Sequence, residues 1–89
     1  LKTSPESVID LLFYYVETGV QLSLDYGDID EKFYSSLESV YLEAIRLVEK
    51  HNFNKKFEDR AYEIVEKTAN MGWGFHDFLA DIYLQAYGE

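Results

Sequence analysis

The chain has 89 residues, of which 17 are acidic and 8 are basic, and its formal net charge at pH 7 is -9. A chain of this length encloses one hydrophobic core, so residues 1–89 are expected to form a single domain. The negative charge repels the phosphates of nucleic acids and anionic lipid headgroups, so neither nucleic acid nor a membrane is expected as a partner. The chain has no cysteine, so its stability must come from packing rather than from disulfides.

The sequence carries weak indications of where the protein resides. Its longest apolar run, from Leu11 to Val16, is too short to cross a bilayer. The lack of cysteine and of a signal-like N-terminus favours a cytoplasmic protein. The chain begins at Leu1 rather than at methionine, which is consistent with the C-terminal part of a longer protein.

A first helix is predicted over residues 5–26. Ser4 suits the N-cap and Pro5 the first helical position, while Gly27 suits a left-handed stop. Gly19, inside this helix, is predicted to be a notch where another helix crosses closely. The inward face repeats every three or four residues and comprises Val8, Ile9, Leu12, Phe13, Val16, Val20 and Leu24.

A second helix is predicted over residues 30–52. Either Asp28 and Glu31 form a capping box, or Asp30 caps the helix and Ile29 packs on Tyr34 as a hydrophobic staple. The predicted inward face is the most regular apolar stripe in the chain: Phe33, Leu37, Val40, Tyr41, Ala44, Ile45 and Val48.

Two further helices complete the prediction, over residues 55–70 and 75–87. Asn52 and Asn54 suit a turn and the N-cap of the third helix, and Gly72 is predicted to end that helix. No segment shows the period-two alternation of a strand. Short connections favour antiparallel neighbours, so we expect an all-α fold, a four-helix up-and-down antiparallel bundle.

Two stretches of the chain carry a resemblance to a known family. The first is Tyr26-Gly-Asp-Ile-Asp30, continuing to Phe33-Tyr-Ser-Ser36, and the second is Gly72-Trp-Gly-Phe-His-Asp77, continuing to Leu79-Ala-Asp-Ile-Tyr83. Over nearly its whole length the chain resembles the C-terminal half of an uncharacterised bacterial domain-of-unknown-function family. The resemblance implies a helical domain, preceded in longer members by a more basic helical segment. It implies no activity and no functional residues.

Carboxylates and one histidine are predicted to gather at one end of the bundle, which we call the acidic end and define by the segments Asp25–Glu31 and Trp73–Asp77. Oxygen and imidazole groups are ligands for divalent cations. The candidate metal ligands are Asp28, Asp30, His76 and Asp77. The simpler interpretation is that these acids satisfy unpaired N–H groups at helix starts. The spacings of ferritin-like, zinc-protease and EF-hand sites are absent.

The sequence indicates no catalytic residue and no particular cofactor. Asp77 and Asp81 stand four residues apart, where a buried pair could share a proton, but on a small exposed helix such acids are usually solvated. The chain has no G-x-S-x-G motif, and Gly72-Trp73-Gly74 lacks the third glycine and the lysine of a phosphate-binding loop.

Half of the lysines and arginines fall in the segment Lys50–Arg60. This segment is predicted to lie about 30 Å from the acidic end, at the rise of about 1.5 Å per residue of a helix. The molecule would then be electrically polar, which favours docking to a partner, although a solvated basic turn is the simpler interpretation.

Several aromatic residues fall outside the predicted inward stripes. Tyrosine gives a broad contact area at low entropic cost and is enriched in interface cores. Large side chains that fill a small core are an equally good explanation. The candidate interaction residues are Tyr14, Tyr15, Tyr34, Tyr62 and Trp73.

Two functions follow from these observations. The leading hypothesis is a non-catalytic helical interaction or structural module, whose partner is a protein: either the upstream region of the same chain or a second copy. The alternative is a metal- or small-ligand-binding enzyme with its site at the acidic end.

Overall fold

The computed structural model describes residues 3–88, and in these residues the chain forms four α-helices and no strand. The helices are α1 (Pro5–Tyr26), α2 (Glu31–Lys50), α3 (Asn54–Lys67) and α4 (Phe75–Tyr87). The predicted all-α, four-helix class is confirmed. The predicted limits of the first and fourth helices match the structure. The predicted second helix is too long at both ends, and the predicted third helix begins one residue too late and ends three residues too late.

The ends of α1 follow from its capping residues. The Ser4 side chain accepts a hydrogen bond from the Ser7 backbone N–H at 3.1 Å, which satisfies one of the unpaired donors of the first turn. At the other end, Gly27 has φ +84° and its N–H donates to the carbonyl of Ser23. A residue with a Cβ rarely adopts this backbone conformation, so glycine is the residue that ends α1 here.

The predicted notch at Gly19 is confirmed. Gly19 is buried where α1 crosses α2, and a Cβ placed on it would lie 2.5 Å from Cδ2 of Leu37. Any larger residue would collide with the Leu37 side chain unless that side chain changed its conformation or the two helices moved apart. Glycine therefore sets how closely α1 and α2 approach.

The structure decides between the two predicted starts of α2. Asp30 is the N-cap, since its Oδ1 accepts a hydrogen bond from the Phe33 N–H at 2.8 Å. The helix ends at Lys50, with His51 as C-cap, two residues before the predicted end.

Both predicted ends of α3 need correction. The helix begins at Asn54, so Phe53 occupies the N-cap position and supplies no side-chain hydrogen bond, contrary to the asparagine cap expected there. The helix ends at Lys67 rather than at residue 70. Beyond Lys67 the backbone bonds tighten to three-residue spacing, with the Thr68 N–H donating to Val65 and the Ala69 N–H to Glu66. The Thr68 hydroxyl also donates to the carbonyl of Val65, at 2.7 Å.

The helices alternate in direction, as expected for an up-and-down bundle. Near the start of α2, Tyr34 bonds to Ser23 near the end of α1, so α1 and α2 are antiparallel. α3 is also antiparallel to α4, because His76 at the start of α4 lies within hydrogen-bond distance of Val65 and Thr68 at the end of α3.

The order of the helices around the bundle is α1, α2, α4, α3. α1 packs on α2 and α3, and α4 packs on the same two helices, whereas α2 and α3 touch over a short stretch. The ion pair between Glu6 and Lys56 joins the starts of α1 and α3, so these helices are parallel. The contact between the Tyr34 and Phe75 rings joins the starts of α2 and α4, so these are parallel as well. α1 and α4 occupy opposite corners, and the molecule is flat, with extents of 36 × 36 × 18 Å.

One core runs through the bundle and draws on all four helices. Its centre is aromatic: Phe13 of α1 stacks on Phe57 of α3 and meets Tyr41 of α2 edge-on. Two residues that were expected to face inward, Leu24 and Phe78, are instead exposed. The largest fully buried side chains are Tyr34, Tyr41, Phe13, Phe75, Ile9 and Leu37.

Candidate interaction surface

The two connections predicted to lie together at the acidic end do so. A Cβ on Gly72, between α3 and α4, would lie 3.4 Å from Oδ2 of Asp28, between α1 and α2. Two of the candidate carboxylates at this end form hydrogen bonds: Asp28 accepts from the Tyr34 hydroxyl at 3.2 Å, and Asp30 caps α2. These acids therefore have structural partners.

His76 is held by the end of α3. Its Nδ1 lies 3.0 Å from the Thr68 hydroxyl and 3.1 Å from the carbonyl of Val65. Because the Thr68 hydroxyl donates to Val65, Nδ1 must carry the proton and donate to these oxygens. Asp77 lies exposed in the first turn of α4, the position of an acid that satisfies a helix start.

No group of three or more histidine and carboxylate side chains within residues 3–88 is arranged to hold a metal ion. The metal hypothesis for Asp28, Asp30, His76 and Asp77 stays a prediction from the sequence. The geometry of these side chains gives it no support beyond the meeting of the two loops.

The expectation that Tyr34 is an exposed interaction residue is wrong. Only 1% of its surface is accessible, and its hydroxyl bonds to Ser23 and Asp28 inside the bundle. Tyr34 belongs to the inward stripe of α2, because it precedes Leu37 by three residues and Tyr41 by seven.

The other candidate interaction residues are exposed but do not form one surface. Tyr62 packs on Tyr83 at the junction of α3 and α4 and donates to Glu66. Trp73 is 57% exposed in the connection between these helices, with φ +62°. Only Tyr14 and Tyr15 lie side by side, on the outer face of α1.

Tyr14 and Tyr15 belong to an apolar groove between α1 and α2, which we call the α1 groove. Tyr15 forms part of its wall, with its hydroxyl 3.5 Å from the hydroxyl of Ser36 on α2. Phe33 and Leu37 contribute the α2 side, and their side chains also pack in or against the core. The groove is lined by Leu11, Tyr14, Tyr15, Thr18, Gly19, Leu22, Phe33 and Leu37.

Sequence reasoning missed Leu11 and Leu22, which are 62% and 41% exposed. A signal was present, because residues 11, 15, 18 and 22 recur at helical spacing and form a second stripe beside the inward one. α1 thus has two apolar faces, one of which is covered by α2 and α3.

The charged side chains beside the groove are paired along the α1–α3 seam. Arg60 donates two hydrogen bonds to Glu17, at 2.8 and 3.0 Å, and also bonds to Asp10. These contacts, led by the hydrogen bond to Glu17, raise the pKa of Arg60 above its ordinary value. The guanidinium also lies 5.6 Å from the centre of the Phe13 ring, a favourable cation–π distance.

Two of the four cations in the basic segment Lys50–Arg60 are paired with acids of α1. Arg60 is held by two acids of α1, and Lys56 pairs with Glu6. Acids of α1 and cations of α3 meet because these helices are parallel neighbours. The excess of cations in this segment is therefore reduced, and the electrical polarity of the molecule stays a prediction.

Comparison of the chain with protein-family models, with curated proteins and with solved structures finds no match. The resemblance to a domain-of-unknown-function family thus stays a prediction. Within residues 3–88, no helix combines the length and the apolar character needed to cross a bilayer.

Proposed function

We propose that this chain is a non-catalytic interaction module that binds a protein helix in the α1 groove. One observation carries the proposal: none of the eight groove-lining residues is charged, in a chain of which 28% is charged. A solvated helix face normally mixes charged and polar residues, and a contiguous exposed apolar face marks a binding surface.

The dimensions of the groove suit a helix. From Leu11 to Leu22 the stripe covers about three turns, or roughly 16 Å at the helical rise of about 1.5 Å per residue. An amphipathic helix binds such a groove through apolar side chains at three- and four-residue spacing. The tyrosine rings offer contact area with few rotatable bonds, which lowers the entropic cost of binding.

The proposal is tested by site-specific photo-crosslinking in the cells from which the sequence comes. A benzophenone amino acid replaces Tyr14 in one variant of the full natural protein and Tyr62 in the other. Both sites are exposed tyrosines on helices, but Tyr62 lies on the α3–α4 side. We expect a protein adduct from position 14 and none from position 62.

Two results of the crosslinking experiment would count against the proposal. An absence of adducts at position 14 would mean that no protein occupies the groove. Equal adducts at both positions would mean that contact is not selective for it. Circular dichroism of each variant establishes that the helices are retained, so that neither result can be attributed to unfolding.

A further inference from the structure

We infer that Tyr62 and Tyr83 form a site of oxidative cross-linking, at which a peroxide-driven one-electron oxidant joins the two rings as dityrosine and links α3 to α4 covalently. The inference is independent of the proposed function, because neither residue lines the α1 groove. It rests on the contact between the two rings, on the hydrogen bond of the Tyr62 hydroxyl and on the burial of a neighbouring hydroxyl.

The composition of the chain makes tyrosine its commonest target for such an oxidant. Cysteine, the side chain that peroxides ordinarily attack first, is absent. One-electron oxidants act on the electron-rich rings of tyrosine and tryptophan, of which the chain has eight and one. The arrangement of the tyrosine rings therefore determines which product forms.

Two pairs of tyrosine rings are in contact within residues 3–88, and Tyr83 belongs to both. Its ring centre lies 5.7 Å from that of Tyr62 on α3 and 5.0 Å from that of Tyr87 on its own helix. Aromatic rings in contact have centres about 4.5–7 Å apart. Two tyrosyl radicals formed at this distance meet without a large movement of the helices.

The Tyr62 hydroxyl has a proton acceptor in place. A tyrosine that loses an electron must also release its phenolic proton, and a hydrogen-bonded carboxylate accepts that proton directly. Tyr62 donates to Oε2 of Glu66, about one turn further along α3, at 3.3 Å. Tyr62 is also 46% exposed, so an external oxidant reaches its ring. Oxidation therefore begins at Tyr62.

The hydroxyl groups decide which neighbour of Tyr83 becomes its cross-linking partner. The Tyr87 hydroxyl is buried and finds no hydrogen-bond partner in the described part of the chain, so its proton has no acceptor. The pKa of Tyr83 is raised, first by partial burial and then by the nearby charges of Glu58 and Tyr62. The Tyr62 and Tyr83 hydroxyls thus lie within electrostatic reach of each other, and these two rings are the pair that couples.

The reaction balances as a two-electron oxidation. Each tyrosine gives up one electron and its hydroxyl proton and becomes a neutral phenoxyl radical. A carbon–carbon bond then forms between the ring carbons beside the two hydroxyls, and the hydrogen on each of these carbons moves to the oxygen. The product lacks two hydrogen atoms. Hydrogen peroxide accepts both electrons and both protons and becomes two molecules of water.

Peroxidase oxidation of the natural chain tests the inference. The protein is treated with hydrogen peroxide and a haem peroxidase at about 1 µM, far below the effective concentration, on the order of 1 mM, of two groups in one chain. Coupling between molecules is thereby suppressed. We expect a monomer lighter by two hydrogen atoms, with dityrosine fluorescence. Tandem mass spectrometry should join the peptide of Tyr62 to that of Tyr83.

Four variants locate the cross-link. Tyr62→Phe and Tyr83→Phe should each lose the product, whereas Tyr87→Phe should retain it. Tyr26→Phe is the matched control, because Tyr26 is 79% exposed and its ring meets no other tyrosine ring within residues 3–88. Circular dichroism of each variant establishes that the helices are retained.

The oxidised chain gives a second readout. A covalent bridge between α3 and α4 removes conformations from the unfolded chain, as a disulfide does. The midpoint of urea unfolding should therefore shift to a higher concentration after oxidation of the natural chain, and it should not shift in Tyr62→Phe. An unchanged midpoint in the cross-linked monomer would show that the bond does not join the two helices.

Three other results would overturn the inference. Loss of two hydrogen atoms in Tyr62→Phe would mean that Tyr83 couples to Tyr87 or that a different pair reacts. An equal yield of the link between residues 62 and 83 in the urea-unfolded chain would mean that the fold does not position the rings. Consumption of tyrosine without a cross-linked monomer would mean that the two radicals do not meet.

Discussion

Two tyrosines on the inner side of the bundle differ in what their hydroxyl groups contact. The Tyr41 hydroxyl donates to the carbonyl of Ala61 at 3.0 Å. The Tyr87 hydroxyl is buried and finds no hydrogen-bond partner within residues 3–88. Burial raises the pKa of both side chains, and that of Tyr87 reaches about 12 under the added influence of Glu58.

Replacing each tyrosine by phenylalanine should have opposite effects. Tyr41→Phe removes a buried hydrogen bond, so it should lower the free energy of unfolding by about 1–2 kcal/mol. Tyr87→Phe removes a hydroxyl without a partner, so it should leave that free energy unchanged or raise it by up to about 1 kcal/mol. Urea unfolding measures both, and equal losses would contradict the difference in hydrogen bonding.

The raised tyrosine pKa values also predict how stability depends on pH. The folded chain holds the protons of Tyr41, Tyr83 and Tyr87 more tightly than the unfolded chain, where tyrosine titrates near the ordinary value of 10.0. This contribution is complete below pH 10.0 and is lost as the pH rises through the folded values. Stability should therefore fall between about pH 10 and about pH 12, and less steeply in Tyr87→Phe. An identical slope in the two chains would contradict the assignment.

At the scale of helices, the crossing of α1 and α2 depends on one small residue. Gly19 costs about 1 kcal/mol of helix propensity relative to alanine. It remains compatible with a stable α1 because Leu37 occupies the space that a Cβ would fill. Local preference and packing oppose each other at this position, and packing is the larger effect.

Gly19→Ala should lower the free energy of unfolding by about 1–2 kcal/mol despite the better helix former, because overpacking a core typically costs about 1–3 kcal/mol. In a Leu37→Ala background, the same substitution should become neutral or stabilising. This double-mutant cycle is measured by urea unfolding. A loss of the same size in both backgrounds would show that the cost does not arise from the Leu37 contact.

At the scale of the whole molecule, 17 acidic side chains share a flat bundle with 8 basic ones. Arg60 and Lys56 neutralise part of the excess negative charge by pairing with acids of α1. Exposed ion pairs contribute at most about 1 kcal/mol each, so the net repulsion of the folded chain should outweigh them.

Raising NaCl from about 20 to about 500 mM should therefore stabilise the fold by roughly 0.5–1 kcal/mol. The measurement is urea unfolding at about 1 µM protein, a low concentration at which self-association contributes least to the apparent stability. KCl serves as the control for a specific effect of sodium. A decrease in stability with salt would mean that the ion pairs between α1 and α3 outweigh the net repulsion.

The sequence predicted the helices well wherever local chemistry defines their ends. Ser4, Pro5 and Gly27 delimit α1 by capping and backbone preference alone. The end of α3 is predicted three residues too late, because the backbone bonds already tighten to three-residue spacing at Thr68 and Ala69, before Gly72. Periodicity identifies which face is buried but not which helix buries it, so the order of helices around the bundle could not be predicted.

The sequence identified only some of the residues of the candidate surface. Tyr14 and Tyr15 were found because they fall outside the inward stripe of α1. Tyr34 was misplaced because the predicted stripe of α2 begins at Phe33 and leaves Tyr34 out. The spacing of Tyr34, Leu37 and Tyr41 would have placed it correctly. That the second stripe of α1 stays uncovered depends on tertiary packing, which no single helix encodes.

The order of helices also determines which helix ends share a corner. α2 and α4 are parallel neighbours, so the partial positive charges at their N-terminal ends lie side by side and their fields add. Asp30 and Glu31 at the start of α2, and Asp77 in the first turn of α4, lie where this potential is highest. The gathering of carboxylates at this end is thus the counter-charge of two aligned macrodipoles.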